Sequence, residues 1–250
     1  MDNSVPSWKI FNAWHLKLIM AGLMLLDHLR IIEGLVPPDV QAVFTIISRC
    51  VAPVFAFLVV EGIIHTRNLS KYIFRLFICA IAMAMGNAII ENTFKRSAPG
   101  IELSITARPS EHMMFLTFAL GALCVGCIIW GLQQKGAARG LLYIVAAVSF
   151  YFSFSSEWGT VVAPFIVVTY FFRDRKLFKW IGYALIEALA LFRMAIGTYS
   201  EPLYFIGFPF IALYNGQRGP NNPFTKYFFY IFYPAHVWIL CIVNFLMAGG

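Results

Sequence analysis

Charge is scarce in this chain: Asp, Glu, Lys and Arg make up 12% of its 250 residues, against 60% hydrophobic. With a mean hydropathy of +0.75, that scarcity excludes an ordinary soluble domain and points to a polytopic membrane protein. No cleaved signal peptide is expected, because residues 1–15 hold no apolar core and Asp27 and His28 interrupt the first apolar run. The odd count of five cysteines, Cys50, Cys79, Cys124, Cys127 and Cys241, all inside apolar runs, argues against a disulfide framework and for packing roles. Cys124-x-x-Cys127 lacks the second ligand pair of a zinc site, so no metal is expected. Acidic residues are fewer than basic ones, 12 against 19. In a membrane chain the resulting positive charge is read loop by loop, and no nucleic-acid partner is implied.

What the chain has in quantity is long apolar runs, at about 16–34, 42–64, 72–90, 113–132, 141–155, 159–172, 180–197, 202–214 and 227–247. They predict an all-α bundle of about nine transmembrane helices in one domain, residues 1–250, with 1–15 as an interfacial segment and membrane lipid as its solvent. The sixth and eighth runs are short for a bilayer of about 30 Å and are candidates for tilted or re-entrant segments. A cytoplasmic N-terminus puts most basic residues, among them Lys17, Arg67, Lys71, Arg75, Lys135, Arg139, Arg173, Arg175, Arg218 and Lys226, on the inner face. Glu33, Asp39, Glu91, Glu102, Glu111, Glu157 and Glu201 then lie at outer ends, and the C-terminus is outside. The one long connection, about 92–111 with Arg96, Pro99, Arg108 and Pro109, is an outer loop suited to an acceptor-binding lid.

The first run, Leu16 to Ile32, carries an acid and an imidazole inside a span. Charge near a bilayer centre costs at least about 2.5–3.5 kcal/mol, so such groups usually face protein or water and have a task. On a helix, Lys17 and His28 lie about 20° apart and about 16 Å apart along the axis, with Ala21 and Met24 between them. A cation below an imidazole suits a long ligand with an anionic head outside the membrane and a reactive end within it. A snorkelling Lys and a hydrogen-bonded core His are the plainer alternative.

The second run holds Arg49, and Pro53 predicts a kink that leaves the Arg49 carbonyl without its helical donor. Helix rise brings Arg49 near the depth of His28, where Asp27, Glu187 or a substrate oxyanion are its candidate partners. The basic stretch His65 to Arg75, with Lys71 and Arg75, suits phosphates as well as it suits topology. Asn215-Gly216-Gln217-Arg218-Gly219 is a turn-rich inner loop whose glycines permit close approach to a ligand. The last run brings Tyr233-Pro234-Ala235-His236, a second intramembrane imidazole about 14 Å from the inner side.

Lys17-x10-His28 with Asp27, Arg49 before Pro53-Val54-Phe55-Ala56-Phe57, Glu61-Gly62, Tyr72 with Arg75-Leu76, Asn215 to Gly219 and Phe232 to His236 together resemble the TraX family. The family's namesake is a conjugative-pilin N-terminal acetylase. The basic-x10-His spacing is also similar to that of bacterial membrane sugar O-acyltransferases, and the Asp-His pair resembles that of the lysosomal glucosamine N-acetyltransferase. The resemblance implies a bacterial inner-membrane, multi-pass acetyltransferase that takes acetyl-CoA from the cytoplasm and serves an extracytoplasmic peptide or glycan acceptor.

On that reading, Lys17, Arg75 and Arg218, with Lys71 and Asn215, hold the nucleotide end of acetyl-CoA. His28 is the general base, or an acetyl carrier. Asp27 and Arg49 manage charge, and His236 holds the acceptor or the thioester carbonyl. The rival is a secondary transporter whose His, Asp and Arg relay protons or bind an anion. Against it stand the absence of an internal repeat and an odd span count.

Overall fold

The computed structural model describes residues 8–97, 112–197 and 203–248. Those residues are all-helical apart from turns and one isolated bridge: α1 Ala13–His28 with a 3-10 turn Leu29–Ile31, α2 Pro38–Ser48, α3 Val51–His65, α4 Leu69–Ser97, α5 Met114–Leu132, α6 Gly136–Ser153, α7 Gly159–Phe171, α8 Lys176–Ala195, a 3-10 turn Tyr204–Gly207, α9 Phe208–Ala212 and α10 Pro223–Ala248. The outer loop expected to form a lid lies largely outside the described residues, as does Glu201.

Three helices begin at an asparagine that accepts from the backbone N–H three residues on: Asn12 from His15, Asn68 from Lys71 and Asn222 from Thr225. Each side chain meets one of the donors a helix start leaves orphaned. Pro38 and Pro223 open their helices, where the missing N–H costs nothing.

Five stretches are long and apolar enough to cross a membrane: Pro38–His65, Leu69–Phe94, Met114–Leu132, Gly136–Ser153 and Pro223–Met247. The burial pattern agrees. Along α4, Phe74, Ile78, Ile81, Met85 and Ile89 are exposed, and along α8 Leu177, Ile181, Leu185, Leu189 and Phe192, while α8 buries Glu187 and Tyr183. Apolar outside and polar inside inverts the order of a water-soluble helix and fits lipid as the surroundings.

Two expectations change. The second run is one stretch but two helices, because the chain breaks at Arg49-Cys50 and restarts with Pro53 in the first turn of α3. A proline is accommodated there without the kink that an interior position would force. The 202–214 run holds only a 3-10 turn and the five-residue α9, roughly 15 Å of rise, about half a bilayer.

The chain forms two compact units, residues 1–55, 86–111 and 203–250 in the first, 56–85 and 112–202 in the second. In the first unit α1 and α10 run parallel. Trp14 meets Phe224 and Phe228, His28 meets Tyr233 and His236, and the Glu33 N–H donates to Asn244. The end of α4 follows the same direction, with Asn87 accepting from Trp238 and Phe94 stacked on Phe245. Gly86 makes this possible, since a Cβ there would strike the Trp238 ring. α2 runs antiparallel to α1, with Gln41 beside Asp27 and Cys50 beside Met20.

In the second unit α5 packs on α6 and α7, and α7 on α8. Glycines set the close approaches: Gly121 against Ile166, Gly131 against Tyr143, Gly182 against Val168. Inside it, Tyr183 shares a 2.7 Å hydrogen bond with Thr169, and the Tyr72 hydroxyl donates to the Val59 carbonyl.

Candidate functional site

The face of α1 that carries Leu16, Met20, Met24, Asp27 and His28 is buried in the first unit, and His28 ends the helix proper. On α10, Tyr233, His236 and Val237 are the corresponding buried positions. The two helices bring His28 Nδ1 within 2.7 Å of His236 Nε2, with the rings nearly parallel at 11°. Each histidine is 6% exposed, and Tyr233 walls the pair at 6.5 Å from the His28 ring.

The proton positions follow from the partners. His236 Nδ1 lies 2.8 Å from the Phe232 carbonyl, which only accepts, so this nitrogen carries hydrogen. In a neutral ring His236 Nε2 then carries the lone pair and accepts from His28 Nδ1–H. The lone pair of a neutral His28 is thereby placed on Nε2. A carbonyl thus orients one imidazole, which orients a second, the arrangement that fixes the tautomer of a catalytic base.

Asp27 is also buried, and its charged neighbour is Arg30, with Arg30 Nη2 3.6 Å from Asp27 Oδ2. Arg49 is buried at the break between α2 and α3. Its neighbour Cys50 touches Met20, eight residues before His28, which sets its backbone about 12 Å below the imidazole rather than level with it. The helix that leads to Arg49 begins at Pro38, four residues before the start of the apolar run.

At the other end of α1, Phe11 and Ala13 bond to the loop before α10: Phe11 N–H to Leu213 O, Asn215 N–H to Phe11 O, and Ala13 N–H to Gln217 O. Asn215 Oδ1 accepts from the Gln217 N–H, so its side chain shapes this loop. Gly219 has φ +81°, and a Cβ there would stand 2.9 Å from Asn12 Oδ1, so the close approach its lack of side chain permits is to the cap of α1. The loop carries Arg218 near enough to Lys17 for their charges to repel.

Of the other candidates, Lys71, Arg75, Glu61 and Glu187 belong to the second unit. Arg75 lies over the Tyr72 ring at 6.0 Å, and its Nε is shielded with no hydrogen-bond partner among the described residues. Among the described residues no group of three or more His, Cys, Asp or Glu could hold a metal ion. Gln41, which bonds to the Asp27 carbonyl, escapes the sequence reading because a lone Gln in an apolar run carries no spacing signal.

A family model described as TraX protein matches residues 13–244, nearly the whole described chain, from the start of α1 almost to the end of α10. The chain belongs to the TraX family. It is similar to the probable fimbrial assembly protein FimC, serogroup H1, of Dichelobacter nodosus, 26% identical over 248 residues, covering 92% of this chain and 95% of that protein. No solved structure matches. The family match spans both members of the His28–His236 pair and both members of the Lys17–Arg218 pair, so this TraX family chain holds its two polar centres inside the matched region.

Proposed function

We propose that this membrane protein is an acetyltransferase of the bacterial inner membrane, moving an acetyl group from cytoplasmic acetyl-CoA to an amine or hydroxyl of an extracytoplasmic peptide or glycan. The observation that carries this reading is the His28–His236 hydrogen bond at 2.7 Å, closed by the Phe232 carbonyl. His28 Nε2 takes a proton from the acceptor nucleophile, the new bond forms to the acetyl carbon, the C–S bond breaks, and the proton passes to the departing thiolate. The cation formed on His28 is shared through Nδ1 with His236, which lowers the cost of holding charge away from water.

The donor fits one further feature. Lys17 and Arg218 repel each other across the start of α1, an arrangement that becomes favourable when an anion such as a phosphate of the donor sits beside both. Transport is the weaker reading, because the histidine pair ends on a backbone carbonyl that accepts a hydrogen bond but cannot pass a proton on.

Purified protein in lipid nanodiscs, given labelled acetyl-CoA and a membrane extract, is expected to transfer label. His28→Ala should lower turnover by about 10²–10⁴-fold, the usual worth of a general base, with donor binding retained. Full transfer by His28→Ala would remove the role given to this residue. Acid quench and mass spectrometry after incubation with donor alone separate a base from an acetyl-His28 intermediate. Substrate flux into proteoliposomes without donor would favour transport.

A further inference from the structure

The apolar stretch Leu69–Phe94 has 26 residues, a rise of about 39 Å against a hydrocarbon core of about 30 Å, so the first turn of α4 stands at headgroup level. Along α4, Phe74, Ile78 and Ile81 are exposed while Tyr72, Ile73 and Leu76 are buried. Lys71, exposed, falls in line with Phe74 and Ile78 at helical spacing, and Arg75 follows it by four residues at the margin of that stripe. Helical side chains lean toward the N-terminus, so Arg75 reaches back toward Lys71, and its guanidinium lies over the Tyr72 ring at 6.0 Å. That ring is itself pinned, because its hydroxyl donates to the Val59 carbonyl at 3.3 Å and it fills the space that Gly62 leaves. Arg75 Nε is shielded and has no acceptor among the described residues, which also offer its guanidinium no ion pair. Glu61, the acid nearest in sequence, lies 3.6 Å from His65. A cation that gives up hydration without gaining an acceptor is costly, and a second cation one turn away adds repulsion. An anion beside both removes the two costs together.

We propose that Lys71 and Arg75 bind the phosphate of an anionic phospholipid whose acyl chains lie along Phe74, Ile78 and Ile81. The guanidinium, steadied on Tyr72, meets the phosphate oxygens with its fork of donors, and Lys71 adds a point charge at the rim. The stripe above them takes the hydrocarbon. Cations and stripe are continuous on one face of one helix, and a soluble phosphate ester would use the cations alone. A zwitterionic lipid brings its own cation next to the phosphate and so forfeits the attraction of Lys71. The site lies wholly within the second unit. It takes Lys71 and Arg75 from the nucleotide end of the donor, which Lys17 and Arg218 of the first unit are left to hold.

The test uses the full chain in detergent, with native mass spectrometry counting retained lipid and thermal melting reading stabilisation. Phosphatidylglycerol and phosphatidylcholine of matched acyl chains are the lipid probes, and glycerol phosphate, inorganic phosphate and coenzyme A the soluble ones. Wild type is expected to retain phosphatidylglycerol and to melt higher with it, and to respond weakly to phosphatidylcholine, glycerol phosphate and inorganic phosphate at the same concentration. Arg75→Gln and Lys71→Gln should each raise the phosphatidylglycerol concentration needed by roughly tenfold, the worth of one charge-assisted hydrogen bond. Lys135→Gln, which removes one charge from the exposed turn between α5 and α6, should leave it unchanged. Melting of each variant without lipid checks the fold, and the exposed Lys71 keeps the test decisive if Arg75→Gln fails to fold. Equal retention of the two lipids, or an equal loss in Lys135→Gln, would overturn the site in favour of general surface charge. Stabilisation by glycerol phosphate or inorganic phosphate to the same degree would overturn lipid as the occupant. Displacement of phosphatidylglycerol by coenzyme A would return both cations to the donor.

Discussion

At the scale of single residues, the histidine pair allows variants that separate chemistry from packing. His236→Gln offers an amide oxygen in place of Nε2 and can still accept from His28 Nδ1–H. His236→Leu removes the acceptor and frees the His28 tautomer. Turnover is therefore expected to fall less in His236→Gln than in His236→Leu, with neither loss exceeding that of His28→Ala. Equal losses would show that the second imidazole acts only by filling space. Arg218→Ala tests a different sign. Removing one of two repelling cations should raise the melting temperature of the protein without ligand while raising the KM for acetyl-CoA. The two histidines were legible in the sequence because ionisable groups stand out against lipid. Their partnership was not, since nothing in a sequence shows that residues 208 positions apart share a hydrogen bond.

Among the helices, the starts are more specified than the ends. Asn12→Ala and Asn222→Ala each remove an acceptor from an N–H that has no other helical partner, and each is expected to cost about 0.5–2 kcal/mol of stability, read by thermal or denaturant melting in detergent. Gly219→Ala combines a left-handed backbone with a Cβ pressed against Asn12 Oδ1 and should lower the melting temperature too. It should also raise the donor KM, because Arg218 is carried on the same loop. Helix positions followed from the apolar runs almost throughout, but two features did not. The disturbance at Arg49 was signalled by Pro53, which cannot donate to the Arg49 carbonyl, but that it ends α2 at Ser48 and restarts α3 at Val51 instead of kinking one helix is not written in hydropathy. The shortness of α9 was visible as a short run, while its division between a 3-10 turn and five α residues depends on local packing such as Gly207 against Pro53 and Cys50.

For the molecule as a whole, the parallel course of α1 and α10 predicts where the chain ends lie. Helices that start together and run the same way finish on the same side, so the N-terminus and C-terminus should be on opposite faces of the membrane. Alkaline phosphatase and fluorescent-protein fusions at the C-terminus would read this directly, with activity expected from the phosphatase fusion and a dark fluorescent one. A fluorescent C-terminal fusion to active protein would refute it. The sequence reading reached the same arrangement by counting nine runs and weighing loop charge. The helix directions reach it without a count, which matters because the 3-10 turn and α9 of the 202–214 run together rise only about half a bilayer. Membrane class and helical content were open in the composition, whereas the assignment of Lys71, Arg75 and Glu187 to the second compact unit has no counterpart in any local pattern.

The first helix supplies one imidazole and the last helix the other. A ribosome must therefore have synthesised at least as far as His236, and the translocon must have released α10, before the pair exists at all. A product ending before Pro223 should insert and remain inert. Co-expressing residues 220–250 as a separate peptide should restore some turnover, because what that piece brings is the missing half of a bond rather than a missing domain.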